Sequence, residues 1–279
     1  LWDGVRCVSM KRLFSYMTLG LVILLLAVQV GCVSAAGTGS NQSELWVFAA
    51  ASLTGAIYDI DQIFEKAHPN VHIVTDFDSS GTLETQIKNG APADLFLPAS
   101  DQNMQNLVAA KLIDNSSVTP IAKGKLAIIV PADNPKKIAG LYDLGNPGVK
   151  IVSEVSSVPI RKYTEQMLTK ASNDPEYGPV FVGNFRKNIV SEETNVAQAA
   201  TKVAMGEADA GITYFSDVTK DIADKVKIIE LPDKFNVVAS YPAGILTRSG
   251  EKDVAKQYID LIKSDQGKTV LKNYKFDVA

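Results

Sequence analysis

Histidine and cysteine are scarce in this 279-residue sequence, which contains two of each. His68, His72, Cys7 and Cys32 are too few for a zinc site built from cysteine and histidine. The sequence also lacks a Ser–His–Asp arrangement, a cysteine nucleophile in its body and a dinucleotide-type glycine loop, so we expect neither enzyme activity nor a cofactor. A net charge of −3 provides no polybasic surface, so we expect no nucleic-acid partner.

The first 32 residues have the pattern of an export signal. Basic residues at 11–12 precede an almost wholly apolar run at 17–30, which is shorter than the ~20 residues that span a bilayer. Gly31 and Cys32 resemble a lipoprotein processing site, although Gln29 stands where leucine is usual. We therefore expect a lipid anchor on Cys32, with a secreted protein lacking the anchor as the alternative.

Residues 33–44 are small and polar, and they predict a flexible tether between the membrane and the folded body. Only Cys32 would survive processing, so we expect no structural disulfide. From residue 45 onward, short apolar runs alternate with helical patterns. This alternation predicts an α/β fold with parallel sheets covered by helices.

The body is long enough for two lobes. We expect lobe 1 to comprise residues 45–124 and 241–279, and lobe 2 to comprise residues 125–240. The chain would cross between them near residues 123–126 and 240–242. Two lobes joined by two crossings predict a hinge around a central ligand cleft.

Hydrogen-bond donors collect at the predicted junctions between strands and helices, where ligands bind in such sheets. Ser52 follows the strand at 45–48, and Ser80 lies in a second junction with Gly81. Two further junctions contain Val158–Ile160 and Glu193–Val196, and Tyr214 ends a strand of the same lobe. The serines could instead cap their helices, and Tyr214 could be a core residue.

Positive charge is almost absent from these junctions, since Arg161, just beyond the third, is the exception. A small oxyanion can be held by neutral N–H and O–H groups at helix N-termini. An amino acid would require a carboxylate for its ammonium group, and a sugar would require stacked aromatic side chains. With 8% aromatic residues and few at the junctions, the sequence favours an oxyanion over both.

Three motifs carry a resemblance to a known family. They are FAAASL at 48–53, GAPADLF at 90–96 and GITY at 211–214. Together they resemble the periplasmic molybdate-binding component of ABC importers, over residues 45–276. The resemblance implies a two-lobed type II periplasmic-binding-protein fold that holds molybdate or tungstate through its oxygens.

Carried over by position, the resemblance implies that the hydroxyls of Ser52, Ser80 and Tyr214 and the backbone N–H groups of Ile160 and Val196 bind the anion. A related archaeal branch coordinates the metal with carboxylates, but Val196 occupies one of those positions here, so four-coordinate binding is expected. Asp78 stands where a small residue is common, and we expect its carboxylate to point away from the anion.

The resemblance also implies partners and a location. We expect an extracytoplasmic monomer on the outer face of the cytoplasmic membrane, which delivers its ligand to the permease and ATPase subunits of an ABC transporter. Another tetrahedral oxyanion, sulfate or phosphate, is the alternative ligand. The ligand-sensing domain of a transcription regulator shares the fold class, but an export signal stands where a DNA-binding segment would be needed.

Overall fold

The computed structural model describes residues 42–278. The predicted export signal, Cys32 and residues 33–41 of the predicted tether lie outside the described residues. Strand β1 begins at Ser43, which pairs with Val71, so the last two residues assigned to the tether belong to the folded body. The lobe boundaries at 124/125 and 240/241 stay a prediction.

The first group of strands surrounds β1 (Ser43–Ala50). Strands β2 (Val71–Asp78) and β3 (Leu95–Leu97) pair with it in parallel on either side. Helices α1 (Thr54–Ala67), α2 (Ser80–Lys88) and α3 (Asp101–Ala109) follow these strands in turn. The carboxyl ends of β1 and β2 therefore meet at one edge, which places the residues after them side by side.

The second group is built in the same way. Strands β5 (Ile151–Glu154), β6 (Ile189–Glu193) and β7 (Ala210–Tyr214) run parallel with β5 in the middle. Helices α4 (Pro159–Ser172), α5 (Gly178–Lys187) and α6 (Val196–Ala204) connect them. Helix α5 follows α4 without an intervening strand and ends at Lys187, so β6 begins only at Ile189.

Two long strands join the groups. Strand β4 (Thr119–Pro131) pairs antiparallel with β9 (Val238–Ile245), from Thr119–Ala243 to Lys125–Val238. Beyond this ladder, β9 continues onto β3 and β4 continues onto β7 and β8 (Val226–Glu230). The expected parallel pairing therefore holds within each group, whereas the crossing strands and β8 are antiparallel.

The last two helices, α7 (Lys252–Lys263) and α8 (Asp265–Asn273), pack against α1 of the first group. The phenol of Tyr258 donates to buried Asp61, and the phenol of Tyr274 donates to Asp59. These contacts fix the C-terminal segment to the first group of strands. Among residues 42–278, no helix is both long and apolar enough to cross a bilayer.

Candidate functional site

Ser52 does not cap the helix that follows it. Strand β1 ends at Ala50, residues 51–53 form a single 3-10 turn, and α1 begins at Thr54 with no side-chain cap. The Ser52 Oγ atom instead accepts a hydrogen bond of 3.2 Å from the phenol of Tyr241. Because a hydroxyl has one proton and two lone pairs, the Ser52 proton remains available to a ligand.

Ser80 is also distinct from the cap of its helix. The cap of α2 is Ser79, whose Oγ accepts from the backbone N–H of Thr82 at 3.1 Å. Ser80 is buried, and its Oγ accepts from the backbone N–H of Ala99 at 2.9 Å. One lone pair of this hydroxyl is thus occupied, and within residues 42–278 its proton has no acceptor. The alternative that Ser52 and Ser80 cap their helices is therefore wrong, because the cap of α2 is Ser79.

Tyr214 ends β7 with its side chain buried. Among the described residues, its phenol oxygen has no hydrogen-bond partner. Burial, with the neighbouring phenols of Tyr241 and Tyr163, raises the pKa of Tyr214 well above its usual value, so the phenol stays neutral and keeps its proton. A buried hydroxyl without a partner is costly, and a bound anion would satisfy it.

Two helix N-termini add backbone donors. In α4 the capping position is Val158, which has no side-chain oxygen, and Pro159 has no N–H, so the N–H of Ile160 is the first in the helix. In α6 the side chain of Asn195 accepts from the N–H of Gln198, which leaves the N–H of Val196. The positive end of each helix dipole lies at its first turn, where it favours a nearby anion.

These donors surround one small cavity of about 10 Å³. Four of the five predicted residues line it, namely Ser52, Ser80, Val196 and Tyr214. Ile160 is the next residue after Pro159, which lines the cavity, and its own side chain is buried in the core. This volume is far below the ~300–1,000 Å³ of sites for drug-sized ligands, so the cavity as it stands has no room for a large organic ligand.

The cavity wall contains no cationic side chain. Arg161, the nearest cation in the sequence, is not part of the wall, because its guanidinium donates to Glu192 at 2.5 Å, to Glu165 and to the backbone of Glu154. Asp78 does line the cavity, and its Oδ1 accepts from the N–H of Ser79 at 2.6 Å. Attraction for an anion must therefore come from neutral dipoles.

Two carboxyl groups are buried beneath the Tyr214 side of the site. Asp217 accepts from the N–H of Tyr214 at 2.8 Å and from the hydroxyl of Thr213, and burial raises its pKa to about 7. Burial and the nearby Asp217 also raise the pKa of Glu154 well above its usual value. Raised pKa values reduce the negative charge that these groups place near a bound anion.

Three contacting residues were not predicted from the sequence. Ala99 follows β3, and its backbone N–H donates to Ser80 Oγ. Tyr241 lies on β9, and its phenol donates to Ser52 Oγ. Tyr163 lies on α4, and its phenol donates to the carbonyl of Ala99 at 3.2 Å. Ala99 lies in the junction between β3 and α3, but it offers only a backbone N–H, which no side-chain pattern marks. Tyr241 and Tyr163 lie outside such junctions, and their contacts depend on pairing between distant segments.

A family profile described as bacterial extracellular solute-binding protein matches residues 45–277. The chain belongs to this family. Together with relatives that are named as molybdate-binding proteins, this match confirms the family expected from the sequence motifs.

The solute-binding protein is 32% identical over 238 residues to the molybdate-binding protein ModA of Mycobacterium tuberculosis, with 85% of this chain and 86% of that chain covered. It is 29% identical over 245 residues to ModA of Escherichia coli, with coverages of 86% and 91%.

Solved structures share the fold. A substrate-binding domain from Clostridium difficile, named as part of a molybdenum ABC transporter, is 30% identical with a TM-score of 0.65, covering 85% of this chain and 99% of that chain. The sulfate-binding protein SubI of Mycobacterium tuberculosis has a TM-score of 0.76 at 17% identity, with coverages of 85% and 87%, and it shows the fold alone. The predicted two-lobed, periplasmic-binding-protein-like α/β fold is confirmed.

Proposed function

We propose that this solute-binding protein captures molybdate or tungstate outside the cytoplasm and delivers it to an ABC transporter. The observation that carries the proposal is the unpartnered phenol of Tyr214, which lines the same small cavity as Ser52 and Ser80. Both serine hydroxyls accept hydrogen bonds from the protein and keep their protons free. Relatives named as molybdate-binding proteins supply the chemical identity of the anion.

The donor set fits a fully deprotonated tetrahedral anion. Three hydroxyls and the backbone N–H groups of Ile160 and Val196 can each donate to a different part of the anion. Hydrogen bonds to a charged acceptor are about twice as strong as those between neutral groups, so they can replace hydration without a cation. The anion would be held through its oxygens and remain four-coordinate, with no other cofactor.

Phosphate is the second candidate, because Asp78 lines the cavity. Phosphate keeps a proton near neutral pH and needs an acceptor for it, whereas molybdate and sulfate do not. The Oδ1 atom of Asp78 already accepts from the N–H of Ser79, and this neutral donor partly offsets the carboxylate charge. A carboxylate at the wall would repel a dianion and favour a protonated anion, so the two ligands are separable by experiment.

Thermal unfolding with a panel of oxyanions tests the proposal. A ligand that binds only the folded state stabilises it by about 2.7 kcal/mol at a concentration of 100 Kd. We expect molybdate and tungstate to raise Tm at concentrations at which sulfate and phosphate do not. A larger rise with phosphate, lost on Asp78→Asn, would assign the site to phosphate. No rise with any of the four would refute oxyanion binding.

The remaining proposals concern partners and location. The relatives of this chain are solute-binding proteins. We therefore propose that the chain acts as a monomeric, non-enzymatic binding protein that passes its ligand to a permease and its ATPase. The N-terminal pattern supports export, with Cys32 as the lipid-anchored residue on the outer face of the membrane. The Ala-, Gly- and Ser-rich segment after Cys32 would then tether the body.

A further inference from the structure

Tyr241 connects the two sides of the candidate site from the linking strand. It lies in β9, opposite Ala122 of β4, and is fully buried. Its phenol reaches Ser52 on the first group of strands, and its ring packs edge-on against Tyr214 of the second group at a centroid distance of 5.8 Å. One side chain therefore touches two of the proposed anion donors without lining the cavity itself.

The surroundings of Tyr241 fix the position of its ring. Phe276 packs edge-on against it at 5.1 Å. On the opposite strand, a Cβ added to Gly124 would lie 3.0 Å from the ring, so the backbone of β4 approaches closely there. A ring confined by two strands and the C-terminal segment holds its oxygen at a defined place.

The direction of the hydrogen bond decides what Ser52 can do. Ser52 has a single proton, so it serves the anion only if the phenol is the donor between the two oxygens. A phenol is the more acidic of the two hydroxyls and hence the better donor. Burial and the nearby Asp217 raise the pKa of Tyr241 well above its usual value, so the phenol retains that proton at all physiological pH values.

We propose that Tyr241 is a positioning residue of the anion site, which donates to Ser52 Oγ and thereby directs the serine proton into the cavity. The inference rests on the proposed function, because it requires an anion to accept that proton. Without the phenol, the Ser52 hydroxyl could rotate to other acceptors. The anion would then lose part of one hydrogen bond while the cavity wall stayed intact.

A double-mutant cycle with Tyr241→Phe and Ser52→Ala tests this role, with molybdate titrated by calorimetry. The phenylalanine keeps the ring and removes the donor. From the worth of one neutral hydrogen bond, Tyr241→Phe should weaken molybdate binding by roughly threefold to tenfold in the native background. In the Ser52→Ala background it should change Kd by less than about twofold, because the proton it directs is already gone.

Tyr258→Phe is the matched control, since Tyr258 is also fully buried but donates to Asp61 away from the cavity. It should leave the molybdate Kd unchanged. An equal loss from Tyr241→Phe in both backgrounds, or none in either, would overturn the positioning role. So would a Tyr241→Phe protein that does not fold, because the hydroxyl would then be required for stability. Failure of the native protein to bind molybdate would refute the proposed function itself.

Discussion

Gly81 approaches the loop before α4 so closely that one added methyl group should impair anion binding. It lies in the first turn of α2, next to Ser80. A Cβ built on Gly81 would lie 2.3 Å from the carbonyl oxygen of Ser157, in the loop before α4. Ordinary contacts begin at 3.4 Å, so Gly81→Ala requires the two sides to separate by roughly 1 Å.

This separation should affect binding rather than folding. The backbone of Gly81 is not in the left-handed region, so alanine fits the helix and should stabilise it by up to about 1 kcal/mol. Overpacking against the rigid carbonyl costs about 1–3 kcal/mol, which corresponds to a roughly fivefold to 150-fold rise in Kd. Hydroxyls from the two sides would no longer reach one anion together.

Calorimetry with molybdate and solution scattering measure both effects. The Gly81→Ala protein should bind more weakly, and its radius of gyration at saturating molybdate should exceed that of the native protein. Gly183→Ala is the matched control, because Gly183 is also helical and has open space around its added Cβ. Native affinity in Gly81→Ala, at unchanged fold, would refute the argument that closure of the two sides builds the site.

Three further predictions concern other parts of the chain. Tyr163→Phe removes the hydrogen bond to the carbonyl of Ala99 and should weaken molybdate binding by about twofold to tenfold in calorimetry, whereas an unchanged Kd would assign no role to this contact. Burial raises the pKa of Asp61 to about 6, so the folded state holds a proton that the unfolded chain releases near pH 4. The free energy of unfolding should therefore fall by up to about 1.4 kcal/mol per pH unit from pH 4 to 6, and denaturant titrations of Asp61→Asn should lack that decrease. Cys32→Ala should move the protein from the membrane fraction to the soluble fraction with its molybdate affinity unchanged, and membrane retention would contradict the lipid anchor.

The elements of the fold and most of the cavity wall follow from local sequence patterns. Ser52 and Ser80 come directly after apolar strands, and the carboxyl ends of neighbouring parallel strands must meet, so their proximity could be predicted. Tyr214 ends a strand in the same way. In each case a short run of residues contains both the strand and the donor.

What the sequence did not reveal depends on contacts between distant segments. The bond from Tyr241 to Ser52 joins residues that are 189 positions apart, and it exists only because β9 crosses between the groups of strands. Helix α5 was missed because Gly178 and Pro179 at its start are typical of turns, although proline is also favoured in the first helical turn. The antiparallel pairing of β4 with β9 likewise has no local pattern that distinguishes it from parallel pairing.

The central claim is that neutral donors from both groups of strands form a site for one tetrahedral dianion. Calorimetric titration of the protein with molybdate, alone and in the presence of excess sulfate, tests it most directly. We expect one molybdate bound per chain, with an affinity that falls on Ser52→Ala and Ser80→Ala by about tenfold to a hundredfold each. The absence of molybdate binding, or native affinity in both serine variants at matched stability, would contradict it.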